Sequence, residues 1–196
     1  MEYRKLGNSG IKVSPICLGT MMFGARTDAA EAGRIVDSAR AAGINFIDTA
    51  DAYAKGESER VTGKLIAKDR EQWVLATKVG NAMGKGPNDA GLSRGWMMRA
   101  IDASLRRLGT DYVDLYQLHG FDEETPIDET LRALEDIVRS GRARYVGCSN
   151  FLAYQVARAI GRSELLGVVR LDSVQPRYNL LFREMEREMF PLCRQR

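Results

Sequence analysis

The sequence predicts an α/β protein of parallel strands and crossover helices, of the (β/α)8 barrel type, with about six βα units behind an N-terminal β-hairpin. Three observations carry this. Short apolar runs alternate strictly with stretches of helical period, a pattern that joins parallel strands through right-handed crossovers. A polar residue or glycine follows each run, at Gly19-Thr20, Asp48-Thr49, Thr77-Lys78, His119, Ser149-Asn150 and Gln175, in steps of 26 to 41 residues. An open sheet gathers its functional groups at one switch point, whereas a barrel brings every strand end to one mouth. Polar groups at all six ends favour the barrel.

Tyr3 to Leu6 and Ile11 to Val13 flank Gly7-Asn8-Ser9-Gly10, which is hairpin chemistry, and this hairpin is expected to cap the N-terminal end of the barrel. Six buried strands follow, at Ile16 to Leu18, Asn45 to Ile47, Trp73 to Ala76, Tyr112 to Tyr116, Arg144 to Gly147 and Leu171 to Val174. Ala29 to Ala42 reads as a helix closed by Gly43, and Ser58 to Ile66 as a shorter one. Gly80 to Gly91 is too polar and glycine-rich for a helix and reads as an enlarged loop over the mouth. Its Gly84-Lys85 is not a phosphate loop, because Gly86 stands where Ser or Thr is needed. Ser93 precedes a helix with Met97, Ile101, Leu105 and Leu108 on one stripe, ended by Gly109. Thr125-Pro126-Ile127-Asp128 offers an N-cap hydroxyl and a proline at the first helical position, and Ile127, Leu131, Leu134 and Val138 then share a face.

Composition narrows the function classes. The 196 residues are 44% hydrophobic, enough to bury a core, while 29 basic residues interspersed with 26 acidic ones leave a net charge of only +3. No basic run marks a nucleic-acid surface. Cys17, Cys148 and Cys193 are widely separated and form no CxxC pair, so neither a disulfide framework nor a metal site is expected. No apolar run approaches the roughly 18 residues of a membrane span, and cytoplasmic localisation is the expectation.

Asp48, Tyr53, Lys78 and His119 form a candidate catalytic constellation. An ammonium near a tyrosine hydroxyl stabilises its phenolate, and a carboxylate beside that ammonium keeps it charged and oriented. Lys78 and Asp48 supply these groups, Tyr53 lies five residues past Asp48 on the same strand's exit, and His119 is the single histidine of the chain. The apolar run Trp73 to Ala76 is expected to leave Lys78 partly desolvated. Such a set protonates a carbonyl oxygen as charge develops on it, but it contains no reductant, so a hydride donor must be bound. A lysine in a barrel mouth is also a nucleophile, which keeps a Schiff-base lyase open. Ser149-Asn150 would, on spacing alone, equally cap the next helix.

The segments Leu18 to Met21, Asn45 to Tyr53, Ala76 to Lys78, Asp111 to His119, Val146 to Phe151 and Gln175 to Leu180 together resemble the aldo-keto reductase superfamily. The resemblance implies that Tyr53 is the proton donor, that Lys78 and Asp48 tune its acidity and that His119 orients the carbonyl. It implies that Ser149, Asn150 and Gln175 hold the nicotinamide carboxamide, and that Gly19, Thr20 and Met21 lie along the nicotinamide ribose. The implied cofactor is NADPH, less often NADH, the implied substrate an aldehyde or ketone, and no metal takes part. Met21, Met22, Phe23 and Phe121 would give the substrate pocket an apolar lining. Family members continue into a seventh strand, a long loop, an eighth strand and a helix that grips the rest of the dinucleotide. Residues 1–196 are therefore expected to form one aldo-keto reductase-like barrel domain truncated at its C-terminus. Its open edges would permit self-association, and a non-catalytic, self-assembling fragment is the alternative to the enzyme.

Overall fold

In the computed structural model, which describes residues 1–195, a two-stranded hairpin precedes a six-stranded parallel sheet curled into part of a barrel. The hairpin pairs β1 (Arg4–Lys5) with β2 (Lys12–Val13) antiparallel. The sheet runs β3 (Cys17–Gly19), β4 (Phe46–Asp48), β5 (Val74–Val79), β6 (Val113–Leu118), β7 (Ala143–Ser149) and β8 (Ser173–Gln175), each beside its neighbour in sequence. Between them lie α1 (Ala29–Ala41), α2 (Glu57–Ile66), α3 (Arg94–Leu108), α4 (Ile127–Arg139) and α5 (Ala153–Leu166), with α6 (Met189–Gln195) after β8. Sequential order in a parallel sheet with a helix after each central strand is the topology of an incomplete (β/α)8 barrel. Its edges are β3 and β8, and neither is fully buried.

The strands extend toward their C-terminal ends beyond the apolar runs of the sequence. Gly19, Asp48, Lys78, Ser149 and Gln175 are strand residues, while Thr20, Thr49, His119 and Asn150 lie just past their strands. Position within the strand fixes which way each side chain points, because alternate residues face opposite sides. On β5, Thr77 faces the helices and reaches Glu59 of α2, while Lys78 faces the barrel interior. Register sets Lys78 beside Gln117, Gln117 beside Gly147 and Gly147 beside Ser173, forming one inward row. Gly147 is needed there, since a Cβ would stand 2.4 Å from the Ser173 hydroxyl.

Helix ends mostly follow their sequence signals. Asp28 caps α1 by accepting from the Glu31 N–H, Ser93 caps α3 by accepting from Trp96 N–H, and Gly109 and Gly167 end α3 and α5 in left-handed conformation. Two assignments shift. Pro126, not Thr125, is the N-cap of α4, because the Thr125 hydroxyl donates to Asp122 at 2.7 Å instead. Leu152 is the N-cap of α5, so Ser149 and Asn150 are not capping residues.

The hairpin covers the end of the sheet opposite the functional residues. Its turn packs so close to the segment before β8 that a Cβ on Gly7 would meet the Asp172 carbonyl at 2.2 Å. Asn45, just before β4, accepts from Ser14 N–H at 2.7 Å and donates to the Lys12 carbonyl at 3.0 Å. The N-terminal floor is thereby hydrogen-bonded to the barrel. Among the described residues no helix is long and apolar enough to cross a membrane.

Candidate active site

Lys78 is the hub of the site. It is 1% exposed, and its Nζ donates to Asp48 Oδ2 at 2.5 Å, to the Thr49 carbonyl at 2.9 Å and to the Tyr53 hydroxyl at 3.2 Å. Three acceptors satisfy the three protons of an ammonium, which is how a buried lysine keeps its charge. Asp48 is likewise buried, and its other carboxylate oxygen accepts from Gln117 Nε2 at 3.0 Å. Burial pushes the Asp48 carboxyl up, opposed by the Lys78 ammonium and by the Gln175 and Gln117 amides. Lysine and aspartate thus sit as a desolvated ion pair beneath a half-buried tyrosine hydroxyl.

Tyr53 leaves β4 on a backbone shaped to present it. Thr49 N–H donates to the Ala76 carbonyl and Asp51 N–H to the Lys78 carbonyl, so the segment after β4 stays bound to β5. Past Tyr53, Ala54, Lys55 and Gly56 all take left-handed φ values of 47, 53 and 89°, which fold the chain sharply into α2. Two consecutive non-glycine residues in that region are strained. Packing holds them: a Cβ on Gly56 would stand 2.6 Å from the Arg107 side chain, so the turn rests directly on α3. Arg107 in turn donates to Glu59 of α2 at 2.5 Å, and Glu59 accepts from Thr77, the neighbour of Lys78, at 2.6 Å.

His119 closes the cluster from β6. Its ring meets Tyr53 edge to face with centroids 5.6 Å apart, and its N–H donates to the Val79 carbonyl at 2.8 Å. Burial, with the Lys78 ammonium second, pushes the imidazole down from 6.5 to about 4. It is therefore neutral at pH 7, able to donate from one ring nitrogen and accept at the other. Asp48, Tyr53, Lys78 and His119 converge from three strands. Tyr53 brings a hydroxyl, Lys78 an amine and His119 an imidazole to one small mouth.

Ser149, Asn150 and Gln175 stand together at the adjoining strand ends. Ser149 Oγ donates to the Gln175 carbonyl at 2.8 Å, and Asn150 Nδ2 donates to Ser149 Oγ at 3.0 Å and to the His119 carbonyl at 3.3 Å. Asn150 takes a left-handed φ of 57° that asparagine tolerates better than most residues. Three amide and hydroxyl side chains beside the reactive cluster have the donor and acceptor set that complements a carboxamide. From the Gly19 to Met21 stretch the placement is mixed. Thr20 is buried with its hydroxyl donating to the Asp48 carbonyl at 3.1 Å and lying 3.0 Å from Ser58 Oγ, so only Gly19 and Met21 are open to a bound group. Of the apolar lining residues, Met21 and Met22 are exposed and Phe121 packs edge to face on Phe151, but Phe23 is buried in the core and lines nothing.

Gln117, Ser58, Asn81 and the Glu59–Arg107 pair were absent from the sequence-based site. Gln117 was detectable as a polar residue in an apolar strand at the inward position next to Lys78. Nothing local marks Ser58, which joins Thr20 and Thr49 through its hydroxyl.

The comparisons with known proteins agree with this architecture. The aldo/keto reductase family pattern matches residues 15–196, and the chain belongs to that family. It is 42% identical to an uncharacterized oxidoreductase, YrpG, of Bacillus subtilis, over 99% of this chain and 63% of that protein. It is 40% identical to a probable voltage-gated potassium channel subunit beta of Arabidopsis thaliana, over 98% of this chain and 60% of the relative. A versiconal hemiacetal acetate reductase of Aspergillus parasiticus is 38% identical over 98% of this chain and 64% of its own length. The chain thus spans about three fifths of the curated relatives it matches.

Proposed function

We propose that this chain carries the reacting half of an NAD(P)H-dependent carbonyl reductase, with Tyr53 as the proton donor to an aldehyde or ketone oxygen. One observation carries the reading: Lys78 Nζ, itself buried with Asp48, binds Asp48 and the Tyr53 hydroxyl simultaneously. As the carbonyl oxygen takes on negative charge, Tyr53 transfers its proton and the phenolate left behind faces an ammonium at 3.2 Å. That charge is fixed in place before the reaction, so no solvent must reorganise to stabilise the phenolate. His119, neutral, donates a hydrogen bond to the same oxygen and holds it toward Tyr53. A bound nicotinamide supplies the hydride that adds to the carbonyl carbon. Ser149, Asn150 and Gln175 would hold its carboxamide, with Gly19 and Met21 along its ribose. NADPH is the proposed cofactor, with NADH as the second choice.

The Tyr53→Phe variant tests this. It keeps the ring packing on His119 and removes the hydroxyl, and with it the third acceptor of Lys78. NADPH affinity should persist in a fluorescence titration while reduction of an aromatic aldehyde falls by about 10²–10⁴-fold, the usual worth of a positioned general acid. Undiminished turnover by Tyr53→Phe would remove Tyr53 from the chemistry. The one-sided pairing of β3 and β8 favours a second reading, self-association through those edges, which sedimentation velocity across micromolar concentrations decides.

A further inference from the structure

His119 can donate to a carbonyl oxygen only if the proton sits on the correct ring nitrogen, and one side chain in the structure bears on that choice. Asn81 Nδ2 lies 3.1 Å from His119 Nδ1. An amide nitrogen carries two protons and has no lone pair to offer, so in this contact Asn81 donates and Nδ1 accepts. A neutral imidazole accepting at Nδ1 carries its proton on Nε2, at the distal edge of the ring.

The fold holds Asn81 at that position. His119 N–H bonds the Val79 carbonyl across the β5–β6 ladder, which sets the first residues after β5 against the ring. The enlarged loop is pinched shut at its base, where Gly91 N–H donates to the Gly80 carbonyl at 2.8 Å and Leu92 N–H donates to Asp122 Oδ2 at 2.7 Å. A Cβ on Gly80, whose φ is 137°, would lie 3.8 Å from the His119 Cβ, so the loop backbone passes directly over the histidine. The other side chains facing the ring are Tyr53, edge on, and Lys78, whose charge disfavours the imidazolium.

We propose that Asn81 is a positioning residue that fixes His119 in the Nε2–H tautomer, and thereby makes the histidine a hydrogen-bond donor to the substrate oxygen. The inference rests on the reductase reading for its catalytic consequence, but the tautomer itself is measurable without turnover. The first side chain of the enlarged loop then sets the polarity of the histidine.

Because the chain contains one histidine, its imidazole nitrogens give a single unambiguous set of ¹⁵N signals. Long-range ¹H–¹⁵N spectra at neutral pH should show a pyridine-type Nδ1 and a pyrrole-type Nε2 in the unaltered chain. In Asn81→Leu the two signals should move toward each other as both tautomers become populated. In Asn81→Asp the carboxylate accepts from Nδ1–H, so the pattern should invert. Asn81 is exposed, so both variants should fold, with far-ultraviolet circular dichroism as the control. In the active enzyme Asn81→Asp should lower kcat by about 10²-fold, the scale of one lost donor to a developing oxyanion, with NADPH binding unchanged. An unaltered Nε2–H pattern in Asn81→Leu would overturn the proposal. Inversion of the signals in Asn81→Asp together with unchanged kcat would keep the tautomer control and overturn the donor role. If the tautomer responds as stated but Tyr53→Phe reduces carbonyls as well as the parent, the reductase reading fails while control of the histidine by Asn81 stands.

Discussion

Asp51 is a buried carboxyl whose replacement should raise stability near neutral pH. It is 1% exposed, and neither of its carboxylate oxygens reaches a hydrogen-bonding side chain. Burial first, and the like charge of Glu59 second, push its carboxyl up from 3.8 to about 7, against the weaker pull of the Ala52 N–H, Arg107 and Lys78. At ~1.4 kcal/mol per pH unit, this is about 4 kcal/mol of differential stabilisation of the protonated form. The sign follows from linkage. A carboxyl raised in the folded state binds its proton more tightly there than in the unfolded chain, so its stabilisation is complete below pH 3.8 and is lost as pH rises to about 7. Asp51→Asn removes the titration and keeps the shape. Urea unfolding at several pH values between 4 and 8 should show the variant and the parent nearly equal at the acid end. The variant should gain steadily with pH, reaching an advantage on the order of 4 kcal/mol, with solvent relaxation reducing it toward half that. Parallel stability profiles for the two proteins would refute the argument, because they would mean that Asp51 binds a proton no more tightly folded than unfolded.

Three further outcomes follow from packing and pairing. Lys78→Met leaves the Asp48 carboxylate buried without its counter-charge and should cost about 3–5 kcal/mol in urea unfolding, whereas adding Asp48→Asn should return most of that loss. A double-variant loss equal to the sum of the losses of Lys78→Met and Asp48→Asn measured singly would show that the pair is not coupled. Gly63→Ala in α2 would set a Cβ 2.0 Å from the Leu108 carbonyl, so the two helices must separate at a cost of about 1–3 kcal/mol or more. Gly161→Ala in α5, where a Cβ meets nothing within 4 Å, should instead stabilise by about 0.5–1 kcal/mol through backbone entropy; thermal melts of both variants check the contrast.

Much of the candidate site was legible before any coordinates. Asp48, Ser149 and Gln175 each terminate a strand and Lys78 stands one residue before the end of its own, and a strand's apolar run ends visibly where the barrel mouth begins. The helix ends were similarly plain at Ser93 and Gly109, because capping is a local negotiation between one side chain and a few backbone groups. Thr125 misled because its hydroxyl is turned to donate to Asp122, three residues upstream, instead of accepting from the first N–H groups of the helix that follows. Phe23 misled for a related reason: an aromatic residue in a loop reads the same whether it lines a mouth or plugs the core.

The sequence by itself determined the strand and helix rhythm and the residues placed near each strand end, since these follow from local periodicity and from which residues close a run, while the family resemblance rested on its ordered motifs. Only the tertiary structure decided the partners. Lys78 meets Asp48, Thr49 and Tyr53 because β4 and β5 pair in one register, Gln117 meets Asp48 because β6 extends that register, and Asn81 meets His119 because the β5 loop folds back over β6. Asp51 lacks a hydrogen-bonding side-chain partner because the helix layer closes over it with Arg107 already committed to Glu59. These contacts join segments up to 69 residues apart, so their geometry is fixed by strand stagger and layer packing rather than by any neighbour in the chain.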